Sequence, residues 1–132
     1  MEMDLNPWAI LVAAAATFVL GGVWYSPLLF AGPWARAAGL SEEEARSGSP
    51  AKIFGGSYLF ALVMAANLAA FLGKDPSLGW GAAAGALAAV WVVCALGVTY
   101  LFERRPMVLL AINGGYQLVA LTLMGLILAA WP

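Results

Sequence analysis

Four long apolar stretches run along this chain, each closed by a short polar or turn-forming segment. The first opens at Asn6-Pro7 and carries no charge from Trp8 to Tyr25. Asparagine is a good N-cap, and proline in a first helical turn gives up a donor that the helix leaves unpaired anyway. A membrane span needs about 20 apolar residues. The pattern therefore predicts transmembrane helices over about 7–28, 50–72, 78–102 and 106–131, forming one all-α domain over 1–132. Gly73-Lys74-Asp75-Pro76 and Glu103-Arg104-Arg105-Pro106 read as tight turns. Spans one and two, then three and four, are expected as two hairpins.

The segment Gly21 to Trp34, GGVWYSPLLFAGPW, interrupts this rhythm. Trp24, Tyr25 and Trp34 suit the headgroup level, where an apolar ring with one polar atom finds both of its preferred surroundings. Pro27 removes a backbone donor and biases Ser26 away from helical geometry, so the first span should kink or end here. Gly-Pro-Trp34 then reads as a stop, and 34–46 as the polar connection. Within it, Ser41-Glu42-Glu43-Glu44 fits a capping box. It either starts a short interfacial helix or forms a plain solvated turn.

Small residues recur every fourth position in three spans: Ala9, Ala13, Thr17 and Gly21; Ser57 through Gly73; and Gly81, Gly85 and Ala89. Such stripes let helix backbones approach closely. With Gly55, Gly56, Gly114 and Gly115, they are the expected packing positions, and they suggest a homo-oligomer, with a dimer favoured.

Composition supports the membrane reading. Hydrophobic residues make up 64% and charged ones 10%, against roughly 45–50% and about 25% in soluble domains. The net charge of −1 leaves no basic face for nucleic acid. Glu2 and Asp4, in place of a basic leader, mark the first span as retained rather than a signal peptide. Arg36, Arg46, Lys52, Arg104 and Arg105 fall on one side of the membrane and Lys74 alone on the other. The positive-inside rule then puts both termini outside the cytoplasm.

Chemistry is sparse. There is no histidine, a single cysteine at Cys94, and no charge in the middle of any span. A nucleophile needs a base beside it, and Ser26, Ser57 and Cys94 have none in evidence. The expectation is a non-enzyme with no cofactor, metal or catalytic residue. The neutral polar set Tyr25, Tyr58, Tyr100, Asn113, Tyr116 and Gln117 collects in one half of the bilayer. It either lines a polar cavity or joins helices by hydrogen bonds. Asn67 is expected to contact a neighbouring helix.

Two short matches suggest a parallel internal repeat: GVWY25 with GVTY100, and IFGGSYL59 with INGGYQL118. Beyond this, GGVWYSPLLFAGPW, Asn6 and INGGYQLV resemble the domain-of-unknown-function family numbered 1761, small four-span bacterial membrane proteins. The resemblance covers essentially the whole chain. It implies four helices, points to a bacterial inner membrane and brings no activity. The favoured function is a homo-oligomeric channel or carrier for a small neutral or lipid-like solute. The alternative is a structural or accessory membrane protein that associates through its small-residue stripes.

Overall fold

The computed structural model describes residues 5–41, 43, 44 and 48–131. It contains α1 (Pro7–Trp24), α2 (Ala31–Ala38), α3 (Pro50–Leu72), α4 (Leu78–Glu103) and α5 (Met107–Ala130). All but α2 are long and apolar enough to cross a membrane, and no strand occurs among the described residues. The protein is an all-helical membrane protein.

The caps explain where the helices begin. The Asn6 side chain accepts from the Trp8 and Ala9 amides at 3.0 and 3.3 Å, with Pro7 in the first turn. Ser49 before Pro50 and Ser77 before Leu78 act in the same way, accepting from Lys52 and Trp80. These oxygens satisfy donors that a helix start leaves orphaned.

The first span is shorter than expected, ending at Trp24 rather than near 28. Ser26 to Phe30 then turn back, with the Phe30 amide donating to the Trp24 carbonyl at 3.1 Å. Gly32-Pro33-Trp34, expected as a stop, instead lies in the first turn of α2. Proline is tolerated there because the first amides of a helix have no partner inside it. The 34–46 segment is therefore partly helical, and α2 ends at Gly39 with φ 76°. The capping box does form farther on. The Glu44 amide donates to Ser41 Oγ at 3.0 Å, and the Ser41 amide to Glu44 Oε1 at 3.4 Å. The rest of that expected helix, with Glu42, Arg46 and Ser47, lies outside the described residues, as do Glu2 and Asp4.

Helix α5 is the hub, touching α1, α2, α3 and α4, and its closest partner is α4. A side chain at Gly85 would overlap the Leu121 carbonyl, and one at Gly81 would overlap Ala129 and the Gly125 carbonyl. The glycine stripe of α4 thus serves this hairpin from within. Ala9, Ala13 and Thr17 of α1 are also buried inside the bundle, around a core that includes Ala65, Leu68, Met124 and Leu128.

Gly55 and Gly56 correct the packing expectation. A β-carbon at either would meet nothing within 4 Å, because this part of α3 meets α1 through Phe54 and Tyr58 and turns the two glycines away from it. Gly114, by contrast, is buried against Val93, and Gly115 faces Trp24. The two glycine pairs of the expected repeat therefore sit in unlike surroundings. Asn67 also departs from expectation: its amide donates to Val63 O, within its own helix, at 2.9 Å.

Candidate functional site

Three helix segments converge where the chain turns around α2, here termed the loop end. Tyr25 caps α1, Tyr100 lies one turn before the end of α4, and Asn113 lies on the second turn of α5. The Tyr25 hydroxyl donates to Asn113 Oδ1 at 2.7 Å, and Asn113 Nδ2 donates to the Tyr100 hydroxyl at 2.9 Å. One amide thereby joins the two tyrosines that the GVWY25 and GVTY100 matches had paired. In a hydrocarbon setting such groups need partners, since the lipid supplies none.

Aromatic rings surround this link. Tyr116 lies 5.6 Å from Tyr25 with the rings tilted, and its hydroxyl donates to the Thr17 carbonyl at 2.8 Å. Trp24 lies 6.3 Å from Tyr116 and 5.0 Å from Phe30, and its indole N–H donates to the Ile112 carbonyl at 3.0 Å. Trp34 of α2 meets Tyr25 edge-on at 5.9 Å. Gly21 makes room for Tyr116, and Gly115 for Trp24. The Ser26 hydroxyl donates to its own chain at Val23 O, and Pro27 is exposed in the turn.

Two members of the expected set stand apart. Tyr58 donates to the Leu11 carbonyl at 3.2 Å and packs against Phe18, away from the Asn113 link. Gln117, one turn beyond Asn113, has a buried Oε1 with no hydrogen-bond partner among the described residues. A separate pocket of about 270 Å³ opens at the opposite end of the bundle, between Asn6, Lys74, Leu128 and Trp131. No group of three or more His, Cys, Asp or Glu able to hold a metal occurs among the described residues.

The family model described as "Protein of unknown function (DUF1761)" matches residues 8–129. The chain belongs to this family. No curated protein and no solved structure matches it. In this DUF1761 member, the segment carrying the resemblance is thus the one that builds the aromatic cluster, through Trp24, Tyr25, Phe30 and Trp34.

Sequence reasoning missed three parts of the DUF1761 site. Thr17 was read only as a small residue, yet its carbonyl receives Tyr116. The Trp24 bond to a mid-chain carbonyl has no sequence signal, because any residue could supply that oxygen. Arg105 was read only as a charge for orientation. Its Nη1 donates to Ala38 O at 3.2 Å, tying the end of α2 to the α4–α5 turn. A cation at a helix C-terminus is favoured by the partial negative charge there.

Proposed function

We propose that this chain is a non-enzymatic accessory membrane protein that pairs with a second copy through the first half of α3. Gly55 and Gly56 carry the reading: they are two adjacent glycines in the first turns of a membrane helix, and a β-carbon at either meets nothing within 4 Å. Glycine on a lipid-facing helix allows close backbone approach, and close packing drives association where lipid gives no hydrophobic force. Ile53, Leu59 and Phe60 flank that face and are exposed. The closed partnering of Tyr25, Asn113 and Tyr100 supports a joint between helices over a solute path. The positive-inside count supports an inner-membrane protein with both termini outside the cytoplasm.

The test is disulfide trapping in membranes. In a Cys94→Ala background, Gly56→Cys should give a cross-linked dimer on mild oxidation, whereas Val119→Cys should not. Failure of the first to cross-link at any lipid ratio overturns the pairing.

A channel or carrier for a small neutral solute remains the second reading, favoured by the unmatched Gln117 acceptor. Uptake of glycerol or urea into proteoliposomes above the empty-vesicle rate would support it and count against the accessory role.

A further inference from the structure

Independently of that pairing, we propose that the outward groove between α4 and α5 holds one anionic phospholipid, its acyl chain in the groove and its phosphate on Arg104. The groove has a volume of about 340 Å³ and is almost wholly apolar. Val93 of α4 lines it together with residues of α5 from Met107 to Leu118, Gly114 and Gly115 among them. At 1.5 Å per helical residue that is roughly 16 Å, about half of a 30 Å hydrocarbon core. It thus begins at the membrane surface, where α5 starts, and stops near the midplane. A groove one leaflet deep matches the reach of a single acyl chain.

The charge at the mouth selects the headgroup. Arg104 lies three residues before Met107 and is exposed, and among the described residues its guanidinium has no hydrogen-bond or ion-pair partner. The adjacent acid, Glu103, is already held by Arg105 at 3.2 Å, so Arg104 is left as the net positive charge of the turn. Its φ of 62° fixes it in the left-handed conformation that ends α4.

The test uses the intact chain, equilibrated in detergent with equal amounts of phosphatidylglycerol and phosphatidylcholine of matched acyl length. Retained lipid is then read by native mass spectrometry. The wild type should keep one phosphatidylglycerol in preference to phosphatidylcholine by about fivefold, the effect of one cation near an anionic headgroup. Arg104→Asn should erase that preference while one lipid is still retained; asparagine tolerates the left-handed conformation. Ala111→Trp, at an exposed position in the groove, should reduce retention of both lipids. Equal retention of the two lipids by the wild type would overturn the headgroup assignment. Undiminished lipid on a folded Ala111→Trp variant, or a second chain displacing lipid from the wild type but not from that variant, would overturn the groove assignment. The Arg104 variant decides the headgroup question even if the tryptophan variant does not fold.

Discussion

Tyr25 and Asn113 are 88 positions apart in the chain and 2.7 Å apart in space, which ties the end of the first span to the middle of the last polar patch. Replacing Asn113 by Leu removes this bond and the one to Tyr100 together. Inter-helix hydrogen bonds in membranes average about 0.6 kcal/mol and reach about 1.7. Asn113→Leu should therefore destabilise by about 1–3 kcal/mol in reversible detergent unfolding, and Tyr25→Phe by about 0.6. The double variant should cost less than the sum of the two, since both remove the same bond. Strict additivity would show that the bond carries no energy.

Gly85 and Gly22 make a matched pair for testing the hairpin. Gly85→Leu should cost about 3 kcal/mol or more, because its side chain would run into rigid backbone at Leu121. At Gly22 a β-carbon meets nothing within 4 Å, so Gly22→Leu should leave the thermal midpoint nearly unchanged. Similar losses at both sites would contradict the close α4–α5 contact.

Arg105 should act locally. Arg105→Gln loses the Ala38 carbonyl and Glu103 as partners. Exposed ion pairs contribute about 0–1 kcal/mol to global stability, so the melting temperature should barely move. Hydrogen exchange in α2 should quicken while α5 stays protected. Unchanged exchange in α2 would remove Arg105 as its anchor.

Orientation can be read by labelling in intact cells. In a Cys94→Ala background, a cysteine at Ser49 should resist an impermeant thiol reagent until the cells are opened, and one at Leu5 should react at once. Reaction of the Ser49 position from outside would reverse the assignment drawn from the basic residues.

The span limits at 50, 72 and 78 were legible because caps, prolines and glycines mark them in single residues. The end of α1 was not, because Leu28 to Phe30 continue the apolar run while the backbone has already turned. Helix α2 was hidden for the opposite reason: Gly32 and Pro33 look like a stop unless the helix is known to start just before them. Of the six polar candidates, Tyr25, Tyr100, Asn113 and Tyr116 gather in one place. Tyr58 does not, because shared depth says nothing about which way a helix faces. Gly55-Gly56 and Gly114-Gly115 look alike in sequence for the same reason, and only the tertiary arrangement separates an open face from a buried one.

The hub position of α5 has a consequence for biogenesis. Of the five helices given above it is the last to leave the ribosome, and it touches all the others. Until it inserts, Tyr25 and Tyr100 lack their shared amide, Trp24 lacks its carbonyl and the glycines of α4 lack a facing helix. The α1–α3 hairpin can pack beforehand through Phe18, Phe54 and Tyr58, while α4 waits for its main partner. Closure of the full bundle is then a late step set by the arrival of one helix.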